Sequence, residues 1–201
     1  SLNTPCSNTT RSPACQVRTS TSKELGFETL KYNSVAAQMS RGKSEKTVAF
    51  AMSSVAATLA KFSMDVCLYM SQNFDFITLP SHLTTGSSIM PHKKNPDVFE
   101  LIRGKCNKIQ ALPYEITLIT NNLPSGYHRE FQLLKEGLFP AIQNLKACLD
   151  IAIFSIKDIK VKDNILADPK YNYLFTVDTL NEMVVAGMPF RDAYKAVAEQ
   201  L

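Results

Sequence analysis

A regular repeat of apolar residues constrains the fold of this 201-residue chain more than any other feature. The spacing between them alternates between four and three, the heptad pattern of helices that pack side by side, at Val48, Met52, Val55, Leu59, Phe62, Val66 and Tyr69. Ser44 and Glu45 suit a helix start, and 73–80 suits its end. The pattern predicts a helix of about 28 residues, roughly 42 Å long, which is typical of a bundle of long helices.

Two more long helices are predicted after the first. Asn95 is a suitable N-cap and Pro96 suits the first helical position, so a second helix is expected from there. A third is expected from about Glu130 to Ile156. Pro113 and Pro140 lie inside these patterns, and each is expected either to kink its helix or to break it in two.

The fold expected from these patterns is all-α, with long antiparallel helices of a central bundle and a small C-terminal helical domain. Residues 1–22 are rich in Ser and Thr, and we expect a poorly ordered arm there. Residues 23–159 are expected to form part of the central bundle, with a loop at 84–97. Two short helices separated by Gly187 predict the small C-terminal domain at 160–201, which is expected to be incomplete because its pattern stops at Leu201 without a closing signal.

Composition excludes several classes of function. Lys and Arg number 22 against 18 Asp and Glu, and this dispersed net charge of +4 does not indicate a nucleic-acid partner. No run of about 18 apolar residues exists, so no membrane span is expected. The chain has five scattered cysteines and no C-x-x-C pair, which favours free thiols in the cytoplasm over disulfides or a metal site: Cys6, Cys15, Cys67, Cys106 and Cys148.

The loop at 84–97 carries most of the polar chemistry. Hydroxyl groups cluster around Gly86, Lys93 and Lys94 follow, and a capped helix start comes next. Hydroxyls, ammonium groups and the free N–H groups of a helix start together suit an anion such as a carboxylate or phosphate. Composition alone fits a solvated basic loop equally well.

The order of residues in this loop is far more specific than its composition. Residues 86–96 read G-S-S-I-M-P-H-K-K-N-P, which matches the signature G-S-S-x-M-P-x-K-x-N-P at every fixed position. The chain therefore resembles the fumarase/aspartase superfamily. Four other stretches resemble the argininosuccinate lyase family within it: residues 32–42, 100–105, 123–136 and 187–193. The resemblance covers roughly residues 24–201.

This resemblance implies a reaction and a set of site residues. Argininosuccinate would be split into arginine and fumarate by anti elimination, a step of arginine biosynthesis, with no metal or organic cofactor. Ser87 stands at the position of the proton-abstracting base, in a signature loop that also contains Gly86, Ser88, Met90 and Pro91. Lys93 and Asn95 match positions that bind the substrate carboxylate. The positions that bind the arginine-like half are matched by Tyr127, Gln132 and Lys135.

The resemblance also implies a cytoplasmic homotetramer in which three subunits complete each site with three signature regions. Only the third region is found here, so we expect a lyase fragment that is inactive alone. His92 stands where the family usually has Gln, which favours adenylosuccinate lyase as the alternative. His128 replaces an Asn and Leu134 an acid. A further alternative is a non-catalytic helical oligomerisation module.

Overall fold

The computed structural model describes residues 13–90 and 92–199. In that part of the chain the α-helices are α1 (Pro13–Glu24), α2 (Ser34–Met39), α3 (Lys43–Tyr69), α4 (Asp97–Gln110), α5 (Leu112–Thr120), α6 (Leu134–Ile156), α7 (Thr176–Val185) and α8 (Phe190–Ala198). Strands β1 (Ile77–Thr78) and β2 (Lys160–Val161) pair antiparallel, and 3₁₀ turns cover Ser81–Leu83, Arg129–Gln132, Ile165–Ala167 and Pro169–Tyr171. The predicted all-α fold class is confirmed.

Helix α3 is the long helix that the heptad pattern predicts, and it has 27 residues. Its buried face differs from the predicted stripe, because Val48, Val55 and Tyr69 are exposed. Small side chains, which allow close helix approach, take much of that face, and its members are Ala49, Met52, Ala56, Leu59, Ala60, Ser63 and Val66. The heptad stripe therefore lies along the edge of the buried face, with three of its seven residues exposed.

The two prolines have different outcomes. Pro113 lies in the first turn of α5, where its missing N–H costs nothing, and the chain breaks between α4 and α5 just before it. Pro140 lies inside α6, which continues unbroken around it. The side-chain amide of Asn144 donates to the carbonyl oxygen of Pro140 over 2.9 Å. The sequence allows a kink or a break at each proline, and only at Pro113 does the helix break.

Within the stretch 1–22, where the sequence predicts a poorly ordered arm, residues 13–22 lie in α1. Residues 1–12 fall outside the described part of the chain. Pro13 opens α1, where a proline is well tolerated. The hydroxyl of Thr21 donates to the carbonyl oxygen of Val17 over 2.9 Å, which lets a polar side chain sit inside the helix.

The chain divides into two compact units. The first contains the described residues up to Leu68 together with Leu79–Asp158, and the second contains Tyr69–Thr78 together with Ile159–Leu201. The sequence places 69–78 in the bundle, whereas here the segment belongs to the second unit. It does so because β1 pairs with β2 and the ring of Phe76 packs against Tyr171 at 6.1 Å.

Each unit has its own buried core. In the first, α6 packs against α4 and α5, with Phe99, Cys106 and Cys148 almost fully buried. Burial, reinforced by the neighbouring Cys148, raises the pKa of the Cys106 thiol to about 12, so it stays protonated and acts as a core residue. In the second unit α7 and α8 pack around Leu180, Ala193 and Val197.

Two helical stretches, Val35–Tyr69 and Arg129–Ile156, are long and apolar enough to cross a membrane by length and composition. Core helices of water-soluble bundles pass the same test, so this is weak evidence for a span. The absence of a membrane span stays a prediction from the sequence.

Candidate functional site

Backbone hydrogen bonds join the two ends of the signature loop. The N–H of Thr85 donates to the carbonyl oxygen of Asn95 over 3.1 Å, and the N–H of Asn95 donates back over 2.8 Å. The hydroxyl of Thr85 also donates to the carboxylate of Asp97, in the first turn of α4. The predicted N-cap role of Asn95 is wrong, because Pro96 occupies the cap position of α4 and no side chain caps the helix there. Helix α4 begins at Asp97, after Pro96.

Ser87 lies inside this closed loop and is half-buried. Its hydroxyl oxygen accepts hydrogen bonds from the backbone N–H groups of Ile89 and Met90, each at 3.2 Å. The N–H of Lys93 in turn donates to the carbonyl oxygen of Met90 over 3.0 Å. Hydrogen bonds to an oxyanion are stronger than those to a neutral oxygen, so both donors favour the alkoxide form of Ser87 over its hydroxyl.

The other signature residues surround Ser87 with exposed groups. Ser88, Met90 and Lys93 are exposed, as are His92 and Lys94, while Asn95 is half-buried. Pro91 lies outside the described residues. A Cβ built on Gly86 would meet no atom within 4 Å, and the backbone there has no left-handed conformation, so local packing does not require this glycine.

A second polar group lies before and within the start of α6. The side-chain amide of Gln132 donates to the hydroxyl oxygen of Tyr127 over 2.8 Å, and the ammonium of Lys135 donates to the amide oxygen of Gln132 over 2.9 Å. All three side chains are exposed. An open cleft of about 620 Å³ lies beside them, lined by Tyr127, His128, Arg129, Glu130 and Leu133.

The structure thus joins the predicted site residues into two separate groups. One is the loop around Ser87, and the other is the hydrogen-bonded chain Tyr127–Gln132–Lys135. His128, which departs from the family pattern, donates from Nε2–H to the carbonyl oxygen of Pro124 over 2.8 Å and so closes the turn at the start of the second group. Within the described residues no cluster of three or more His, Cys, Asp or Glu could hold a metal ion.

Sequence reasoning missed the residues that support the second group. Arg41 donates from Nε to Glu45 over 2.9 Å and from Nη2 to the carbonyl oxygen of Phe131 over 3.3 Å. Its guanidinium also lies 5.8 Å from the centre of the Phe131 ring. The four-residue spacing of Arg41 and Glu45 at a helix start is a signal for their pairing. No sequence pattern indicates a partner 90 positions away.

Glu45 caps the start of α3. Its second carboxylate oxygen accepts the N–H of Gly42 over 2.8 Å, as in a capping box. Burial alone would raise the pKa of Glu45, but hydrogen bonds from its own N–H, from Arg41 and from Gly42, with the positive charge of Arg41, outweigh burial and lower that pKa. The folded chain therefore favours the ionised carboxylate.

We expect Glu45→Gln to destabilise the chain at neutral pH and to lose that effect in acid. Because the folded pKa lies below the unfolded one, the carboxylate contributes stability above about pH 4.3, the usual pKa of Glu, and loses it as the pH falls through the folded pKa. Thermal unfolding followed by circular dichroism at about pH 7 and about pH 3 measures this difference. Glu28→Gln, at an exposed position, is the control. An equal effect of Glu45→Gln at both pH values would contradict the prediction.

Solved structures share this helical fold. An EDDS lyase with bound fumarate aligns with a TM-score of 0.71 and 22% identity, covering 90% of this chain and 36% of that one. A fumarate lyase:delta crystallin from Brucella melitensis aligns with a TM-score of 0.72 and 21% identity, covering 92% of this chain and 42% of that one. At such identities the likeness establishes the fold alone.

A model of the family described as Lyase matches residues 8–111, which is more than half of the chain. The chain therefore belongs to this lyase family.

Curated relatives extend the similarity. An argininosuccinate lyase of Parabacteroides distasonis is 59% identical over 180 residues, covering 90% of this chain and 40% of the relative. An argininosuccinate lyase of Xanthomonas oryzae is 38% identical over 182 residues, covering 90% of this chain and 42% of the relative. The chain thus spans about 40% of the length of the P. distasonis relative.

Proposed function

We propose that this chain is part of an argininosuccinate lyase and contributes the proton-abstracting loop to its active site. The observation that carries the proposal is the pair of backbone N–H groups on the Ser87 oxygen. A Ser hydroxyl is a poor base unless its alkoxide is stabilised, and these two donors supply that stabilisation. The similarity to curated argininosuccinate lyases supports the choice of substrate.

In the proposed reaction the alkoxide of Ser87 removes a proton from the carbon next to a substrate carboxylate. The electron pair left behind moves into that carboxylate and gives an aci-carboxylate dianion. The C–N bond on the opposite face then breaks, and an acid protonates the leaving nitrogen. The products are fumarate and arginine, and the proton taken by Ser87 returns to solvent.

The developing negative charge needs positive groups beside it. Lys93 supplies an ammonium, Asn95 an amide, and the N-terminal turn of α4 the positive end of a helix dipole. A preorganised donor aimed at charge that grows in the transition state contributes about 3–4 kcal/mol. The backbone bridge between Thr85 and Asn95 supports this role, because it fixes both ends of the loop at the start of α4.

The arginine-like half of the substrate would bind at the second group. The hydrogen bonds that link Tyr127, Gln132 and Lys135 leave some donors unused. These are the hydroxyl proton of Tyr127 and two ammonium protons of Lys135. Those donors suit the carboxylate of the arginine half. The open cleft beside Tyr127 offers room for its extended side chain.

We also propose that the complete enzyme is a homotetramer of the cytoplasm, with sites shared between subunits. Exposed apolar side chains on α3 and α6 support association, because large apolar patches mark interfaces: Val48, Phe50, Val55, Ile153 and Phe154. The unbridged Cys67, Cys106 and Cys148 favour a reducing compartment.

A hybrid enzyme tests the proposal. In it, the stretch of the P. distasonis relative that matches this chain is replaced by this chain's own residues, so that the relative supplies the rest of the site. We expect the hybrid to release fumarate from argininosuccinate, measured by absorbance, and the 201-residue chain alone to release none. Release from adenylosuccinate only would establish the alternative that His92 favours. An assembled but inactive hybrid would favour the oligomerisation module.

Substitutions in the second group should act on binding. In the hybrid, Tyr127→Phe and Lys135→Ala are expected to raise the KM for argininosuccinate about tenfold, since each removes a hydrogen bond to the leaving half in ground and transition states alike. Steady-state kinetics separate KM from kcat. Lys146→Ala, at an exposed position of α6, is the matched control for Lys135→Ala. A fall in kcat with unchanged KM would contradict this assignment.

A further inference from the structure

The segment that carries Tyr127, Gln132 and Lys135 has a single buried anchor ahead of α6. Phe131 is 6% exposed, whereas the three polar side chains around it are exposed. Its ring packs edge-on against the rings of Tyr127, at 6.5 Å, and His128, at 6.3 Å. The backbone between Tyr127 and α6 is only a 3₁₀ turn of four residues. The geometry of the polar chain therefore depends on where Phe131 is held.

Arg41 makes two contacts with Phe131. Its Nη2 donates to the Phe131 carbonyl oxygen, and its guanidinium lies over the same ring. One residue thus fixes both the backbone and the side chain of the anchor. The planar fork of an arginine makes these contacts and the Glu45 hydrogen bond at the same time, which the single ammonium of a lysine cannot do.

Arg41 is itself fixed by the start of α3. Glu45 accepts from Arg41 Nε with one oxygen and from the Gly42 N–H with the other. Gly42 is pressed so closely to α5 that an added Cβ would lie 2.5 Å from Cγ2 of Thr120. The turn before α3 is therefore fixed by the Glu45 hydrogen bonds and packed tightly against α5.

We infer that Arg41, oriented by Glu45, is a positioning residue that aligns Tyr127, Gln132 and Lys135 through its contacts with Phe131. The inference rests on the proposed function for its consequence, which is the affinity of the site for the arginine half. Arg41 touches no reacting atom in this scheme and acts only through Phe131. Loss of Arg41 weakens binding in ground and transition states alike, so it raises KM and leaves kcat near its original value.

The kinetic test uses the hybrid enzyme with Arg41→Ala, Arg41→Lys and Val66→Ala. Val66 is a buried residue of α3, 23 positions and so about 35 Å along the helix from its first residue, and its truncation lowers stability without touching the segment. We expect Arg41→Ala to raise KM about tenfold with kcat changed less than about threefold. Arg41→Lys, which keeps the charge beside Glu45 but not the fork, should raise KM by an intermediate factor. Val66→Ala should lower the unfolding temperature with KM unchanged.

Hydrogen exchange gives a readout that does not depend on turnover. In Arg41→Ala the amides of residues 127–133 should exchange faster than in the parent hybrid, while those of residues 141–152 in α6 keep their protection. If the parent hybrid does not cleave argininosuccinate, the proposed function fails and this measurement still decides the role of Arg41. Unchanged exchange at 127–133, or a KM change no larger than that of Val66→Ala, would overturn the inference.

Discussion

Ser87→Ala is expected to lower the kcat of the hybrid enzyme about 10³-fold or more while KM for argininosuccinate stays within about threefold. In the proposed reaction the hydroxyl oxygen of Ser87 takes the proton, and other groups hold the carboxylates of the substrate. Removing the oxygen also leaves the N–H groups of Ile89 and Met90 without their acceptor, but both lie in an exposed loop where water replaces it. Binding therefore survives while the chemical step is lost.

Steady-state release of fumarate measures this effect, and Ser54→Ala provides the matched control. Ser54 is an exposed serine of α3, and only its carbonyl oxygen, which alanine retains, accepts the hydrogen bond from Thr58. The control should keep the parent kcat and KM. Full turnover by Ser87→Ala would remove Ser87 from its role, whatever the substrate. A raised KM with unchanged kcat would instead make Ser87 a binding residue.

The helices were predictable where one side of the chain carries a regular apolar pattern. The 27-residue α3 follows from such a pattern. Only part of its buried face followed from that pattern. The stripe includes the buried Met52, Leu59 and Val66, but the inward face also uses Ala49, Ala56 and Ser63, whose small side chains carry no strong hydrophobic signal. The placement of 69–78 in the second unit depends on the pairing of β1 with β2, a contact between distant segments of two residues each.

The sequence predicts the residues of the site but not their geometry. The signature pattern points to Ser87, and the resemblance to argininosuccinate lyases points to Tyr127, Gln132 and Lys135; their roles stay predictions. The hydrogen bonds that order them arise from side-chain directions that only the folded chain fixes. Arg41 was missed for a different reason, because its partner Phe131 lies on another element and the contact is to a backbone oxygen, which has no residue-type signature.

Gly42 illustrates how a backbone position controls the same region. Its φ of +81° lies in the left-handed region, which costs an L-residue about 1–2 kcal/mol. A Cβ there would also lie 2.5 Å from Cγ2 of Thr120 and 3.7 Å from the Phe131 ring. The Thr120 side chain cannot rotate away freely, since its hydroxyl donates to the carbonyl oxygen of Ile116 over 2.9 Å. Both the backbone and the packing therefore require glycine.

Gly42→Ala is accordingly expected to destabilise the chain by about 3 kcal/mol, the sum of the backbone cost and an overpacking cost of about 1–3 kcal/mol. For a chain of this length that corresponds to a fall of roughly 6–12 °C in unfolding temperature, measured by circular dichroism. Gly104→Ala is a control of opposite sign. Gly104 lies inside α4 with no atom within 4 Å of an added Cβ, so alanine there should stabilise the helix by about 0.5–1 kcal/mol. Equal unfolding temperatures for the two variants would show that the turn before α3 yields to the added methyl group, and that the support of Phe131 is not rigid.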